Sequence, residues 1–175
     1  MKSTITLSPR RTELKANNQP LRLVQPGRKS RLPRTILVPL DFSPCSEHAL
    51  RYALMHARQF KARIIPLHVC QAFPIDYLLG IKSAAVANDW CMEQARVRLK
   101  LLARRCARTG MKLATPIVKF GKPVDEIVEF ALKQGVDLII MATHGYTGLK
   151  HVQLGSTTER VVRHAHCPVL VVRGR

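Results

Sequence analysis

Apolar residues along the chain fall into short unbroken runs, with helical stripes between them. Ile36–Leu40, Ile64–Val69, 112–118, 137–141 and Val169–Val172 predict five strands. Runs with no polar alternation mark strands covered on both faces. Leu50, Ala53, Leu54, Ala57 and Phe60 recur at helical spacing, as do Met92, Ala95, Leu99, Leu102, Ala103 and Cys106 within a predicted helix over 82–109. Val124, Ile127, Val128, Ala131 and Leu132 form a third stripe, and 159–164 reads as a last short helix. Ser43-Pro44 supplies an N-cap and a first-turn proline, while Gly110 and Gly135 stop helices. Strands alternating with helices imply a parallel sheet covered on both faces. Residues 1–33 show no period and carry four prolines, so they read as a disordered tail ahead of an α/β domain at 34–175.

The predicted fourth strand runs into Ala142, Thr143, His144, Gly145, Tyr146, Thr147 and Gly148, and a helix begins near Gly155, Ser156, Thr157 and Thr158. Gly145 and Gly148 permit φ > 0 and leave no Cβ in a ligand's way. Hydroxyls beside the unpaired N–H groups of a helix start make a phosphate cradle. The plainer reading is a turn with a Ser/Thr helix cap.

The spacing Ala142-x2-Gly145-x9-Gly155-Ser156 resembles the Gly-x2-Gly-x9-Gly-(Ser/Thr) motif of ATP-binding universal stress proteins, with alanine in place of the first glycine. The segments Thr35–Ser43 and His166–Val172 are similar to that family as well. The resemblance covers residues 34–173. It implies a doubly wound, flavodoxin-like α/β fold: a five-stranded parallel sheet of order 3-2-1-4-5 with helices on both faces. Strands 1 and 4 then meet at the switch point, where ligands bind beyond the carboxyl ends of the strands. Carried over by position, Pro39 and Asp41 fall near the nucleoside and Val69 at an adenine contact. The 142–148 loop and Gly155–Thr158 fall at the triphosphate. ATP, with Mg or Mn held beside Asp41, is the implied ligand. Alanine at 142 costs little if its φ stays negative and weakens binding if φ > 0 is required. The resemblance also implies a homodimer through residues 168–173, an apolar edge strand that otherwise lacks protection.

Charge changes the picture of partners. The formal net charge is +18. Nine Lys/Arg against Glu13 place +8 in residues 1–34, and the other +10 lies beyond. Arg96, Lys100, Arg104 and Arg108 form a basic ridge at i, i+4 spacing. Such a surface attracts polyanions, with the tail as a contact arm. Five scattered cysteines without a CxxC fit reduced thiols and a cytoplasmic location. No apolar run approaches the roughly 20 residues that span a bilayer.

Several chemistries drop out. A Gly-x4-Gly-Lys-(Ser/Thr) loop is missing, and Gly121-Lys122-Pro123 lacks the glycine-rich lead that would replace it. His144, His151, His164 and His166 do not reach zinc-ligand spacing. Cys45 lies near a helix start but reads as an ordinary first-turn residue. Ser156 has no His/Asp partners for nucleophilic catalysis. The expectation is a nucleotide-binding stress protein that is not an enzyme, with at most slow ATP hydrolysis. The alternative is a relative that does not bind nucleotide and serves as a basic interaction module.

Overall fold

A computed structural model describes residues 32–71, 81–111, 113–143 and 155–173, all within one compact unit, Arg31–Arg175. The tail expected over 1–33 lies outside the described residues except for its last two positions. The elements run β1 (Thr35–Pro39), α1 (Pro44–Phe60), β2 (Arg63–Cys70), α2 (Ile81–Arg108), β3 (Ile117–Phe120), α3 (Pro123–Lys133), β4 (Leu138–Ala142), α4 (Ser156–His164) and β5 (Val169–Val172). All pairings are parallel and the order is β3-β2-β1-β4-β5, as the resemblance implied.

Period-two alternation divides the core between two faces. Ile36, Val38, Ile64 and Ile140 pack under α1 and α2, against Leu50, Ala53, Leu99 and Leu102. Leu37, Ile65, Leu67, Ile139 and Met141 point the other way, against Ile127 of α3 and Val161 of α4. Ile36, Leu37, Leu67, Leu99, Ile139, Ile140 and Val161 are fully buried. A residue of that size fully buried is worth about 1.5–3 kcal/mol, so the layers are held mainly by these side chains.

Two elements differ from the sequence reading. The third strand starts at Ile117, not at 112, because Pro116 has no N–H to give the ladder. Upstream of it, a hydrogen bond from Ala114 N to Ile64 O (2.8 Å) keeps the chain beside β2. Leu132 is 57% exposed. It is turned about 100° from Ala131 and so leaves the stripe in the last turn of α3. Elsewhere the punctuation is as expected. Ser43 caps α1 by accepting from Ser46 N (3.1 Å), with Pro44 in the first turn. The ridge of Arg96, Lys100, Arg104 and Arg108 is exposed along α2. Among the described residues no helix is long and apolar enough to cross a membrane.

The sheet opens at its centre. β1 pairs with β2 over Thr35–Pro39 but with β4 only at Ile36↔Leu138 and Leu37↔Ile139. Beyond that point β1 and β4 part, and the chain leaves them towards α1 on one face and α4 on the other.

Candidate functional site

A crevice of about 310 Å³ lies where β1 and β4 separate. Pro39, Leu40 and Asp41 line it from β1 and the turn after it. Leu67, Val69 and Gln71 come from β2 and its end, and Met141 and Ala142 from β4. The rim is Ser46 of α1, Pro123 and Ile127 of α3, and Gly155, Ser156, Thr157 and Thr158 at the start of α4. Eight residues singled out from sequence therefore share one cavity: Pro39, Asp41, Val69, Ala142, Gly155, Ser156, Thr157 and Thr158. Thr143 is described but is not part of the lining. His144, Gly145, Tyr146, Thr147 and Gly148 lie outside the described residues.

Two hydrogen bonds hold α4 to the end of β4, and a third ties that end to β5. Gly155 N donates to Thr143 O (2.7 Å), and Thr143 N donates to Val172 O on β5 (2.9 Å). The buried Thr158 hydroxyl donates to Ala142 O (2.8 Å). The N-cap is Gly155 and its helix start has no side-chain cap hydrogen bond, so the Ser/Thr cap that the sequence also allowed does not form. Ser156, Thr157 and Thr158 are instead the first three helical residues, whose N–H groups have no intrahelical partner. Ala142 is the last residue of β4, and it is not among the described non-glycine residues with positive φ. The alanine in the first motif position is thus accommodated without backbone strain.

On the opposite wall, Asp41 Oδ1 accepts from Ser43 N (3.0 Å) and from the Ser43 hydroxyl (2.6 Å). Asp41 is the one carboxylate among the described lining residues. Between them Phe42 sits at φ 64, a conformation that costs a residue with a side chain roughly 1–2 kcal/mol. A contact set invisible in the sequence holds it there. The Phe42 ring lies 4.5 Å from the His68 ring, and the Arg98 guanidinium of α2 sits 4.6 Å from the centre of the Phe42 ring. His68 Nδ1 lies 2.6 Å from Leu40 O, which places the ring proton on that nitrogen. Leu40 N donates in turn to Leu67 O (2.8 Å).

Burial lowers the His68 pKa from the ordinary 6.5, against the Leu40 hydrogen bond and the charge of Asp41, which raise it. Cys70, at the end of β2, is pushed up to about 12, by burial first and then by a hydrogen bond with Cys91. It therefore stays a thiol near neutral pH, suited to packing rather than nucleophilic attack. Cys45 packs against the core under α1. Among the described residues no group of three His, Cys, Asp or Glu side chains is placed to hold a metal ion.

Sequence reasoning missed Leu40, Leu67, Gln71, Ser46, Pro123, Ile127 and Met141 in the lining. Gln71 was within reach of the rule that ligands sit beyond strand carboxyl ends, since it directly follows β2. The α3 residues were not, because their approach to the crevice depends on how α3 packs across the sheet.

This arrangement is the crevice at the carboxyl ends of the strands in a doubly wound α/β protein. Residues 33–173 match the model of the universal stress protein family, and the chain belongs to that family. It is similar to a universal stress protein of Methanocaldococcus jannaschii, 37% identical over 140 residues, covering 80% of this chain and 82% of the relative. A second universal stress protein of that organism is 34% identical, covering 80% of this chain and 94% of the relative. Its solved structure superposes with a TM-score of 0.73 over 82% of this chain and 98% of its own. Two more distant structures share the fold, each with a TM-score of 0.55. One, a family protein from Arabidopsis thaliana at 21% identity, has AMP bound and covers 82% of this chain and 93% of its own. The other, a universal stress protein in complex with cAMP at 23%, covers 82% and 99%.

The His68 pKa shift has a testable sign. With the folded value below 6.5, the folded protein binds the proton more weakly than the unfolded chain. The associated stability is complete above pH 6.5 and is lost as pH falls through the folded value. In an NMR titration the His68 ring should reach its midpoint below pH 6.5, and unfolding in urea should become easier from pH 7 to 5. A His68 midpoint above 6.5 would contradict the burial argument.

Proposed function

We propose that this universal stress protein binds an adenine nucleotide, ATP in particular, in the crevice between β1 and β4. The observation that carries the reading is the convergence, in one cavity, of Asp41, Val69 and the uncapped start of α4. Val69 and the β2 end offer an apolar wall for a base, and Asp41 offers a carboxylate for ribose hydroxyls. The N–H groups and hydroxyls of Ser156 and Thr157 offer the phosphate end. A divalent ion such as Mg or Mn would be held by Asp41 and the phosphates together, as Mg commonly is. Proteins of this fold that hold AMP and cAMP support the adenine assignment. We assign no catalytic residue: the role is that of a nucleotide-responsive binding protein of the cytoplasm, in stress response or signalling. The basic tail and the α2 ridge serve polyanion contact beside it.

Replacing Ser156 with glutamate separates folding from binding. A carboxylate in the first turn complements the helix dipole, so thermal stability should hold or rise slightly. The same charge faces the ligand's phosphates, so ATP affinity should fall at least about tenfold by calorimetry, which is about 1.4 kcal/mol. Unchanged ATP affinity in Ser156→Glu would remove the phosphate end from this site.

Assembly follows from the sheet. Among the described residues β5 pairs with β4 alone and forms one edge, and Val169, Leu170 and Val171 remain partly exposed there. We propose a two-fold homodimer in which residues 168–173 pair with their copy, a closed and self-complementary contact. Light scattering should show a dimer for the parent protein. Pro168 O and Val172 O accept from Ile139 N and Thr143 N, which places the even-numbered residues towards β4. Val171→Pro therefore removes an N–H from the open edge and should give monomer or precipitate. A monomeric parent at micromolar concentration would refute this interface.

A further inference from the structure

The crevice does not end at the start of α4. It continues into a second hollow of about 510 Å³, and Gln71, Pro123, Ser156 and Thr157 line both. The far wall of that hollow carries Lys122, Arg160 and His164, with Asp125 as the one acid among the described lining residues. Ser156, Arg160 and His164 are four residues apart on α4, so they form one line with steps of about 6 Å leading away from the crevice. Lys122 faces them as the N-cap of α3, placed by the turn at Gly121 (φ +148), where an added Cβ would meet the Glu126 carboxylate at 2.9 Å. Neither α3 nor α4 has a side-chain cap hydrogen bond at its start. Lys122 and Arg160 are both exposed, and neither forms an ion pair among the described residues. Glu159 is turned to Arg163 instead (2.8 Å).

We propose that this hollow takes the distal phosphates of a nucleoside polyphosphate, with Lys122 and Arg160, assisted by His164, as the residues that select it over a monophosphate. The inference rests on the adenine-nucleotide reading above. A single phosphate seated at Ser156 and Thr157 ends a full helical turn short of Arg160. A longer chain reaches the cationic wall, and each further phosphate adds charge where two helix starts and two unpaired cations already point.

The test is calorimetric titration of the full-length protein with AMP, ADP and ATP, magnesium present throughout, at low and at physiological salt. The parent should bind ATP at least about tenfold more tightly than AMP, with ADP between them and the gap narrowing as salt rises. The double variant Lys122→Gln/Arg160→Gln changes exposed side chains only. It should keep AMP affinity while its preference for ATP falls to within about twofold. An intact preference in the double variant, with AMP still bound, overturns this inference and leaves the adenine-nucleotide reading standing. No binding of any of the three nucleotides to the parent overturns both.

Discussion

The site depends on how the start of α4 is tied to the end of β4. Gly155 N on Thr143 O and the Thr158 hydroxyl on Ala142 O hold a helix N-terminus against a strand that has just parted from its neighbour. A buried carbonyl such as Ala142 O needs a partner, and Thr158 supplies one from the helix itself. Because the N-cap is a glycine, no serine or threonine side chain folds back over the first N–H groups, which stay directed at the crevice. Without these two bonds the parting of β1 and β4 would leave a slot with no anion-binding end.

The opposite wall rests on a different kind of constraint. Phe42 occupies a left-handed conformation between Asp41 and Ser43, held by the His68 ring below and the Arg98 guanidinium at its face. The Asp41 carboxylate is fixed by the N–H and hydroxyl of Ser43, and that hydroxyl also caps α1. One short turn therefore sets both the helix start and the orientation of the acid. Strained residues held by surrounding contacts gather at binding sites, and this turn lies on the wall where the ribose is proposed to sit.

Much of this was legible from the chain. Unbroken apolar runs marked β1 and β5 closely, and Ser43-Pro44 marked the start of α1, because covered strands and capped helices obey local rules. The third strand was misplaced because Leu113 and Ala114 carry the right hydropathy while Pro116 denies the ladder its donor. Asp41 and Gly155–Thr158 could be named as site residues because strand order brings their strand ends together. The stack of Arg98, Phe42 and His68 was not legible, since it joins α2, a turn and β2 through packing alone. Ala142 shows the reverse case. The sequence left two backbone conformations open at this position, and the strand gives it the one without positive φ.

The most direct test of the central claim is to observe the backbone amides of the isotopically labelled protein while ATP is added. The account predicts saturable shifts at Val69, Gln71, Gly155, Ser156 and Thr157, with Met141 and Ala142 moving less and the exposed ridge of α2 unaffected. Shifts confined to Arg96–Arg108, or none at the start of α4 under saturating ATP, would contradict it and leave the protein as a basic interaction module.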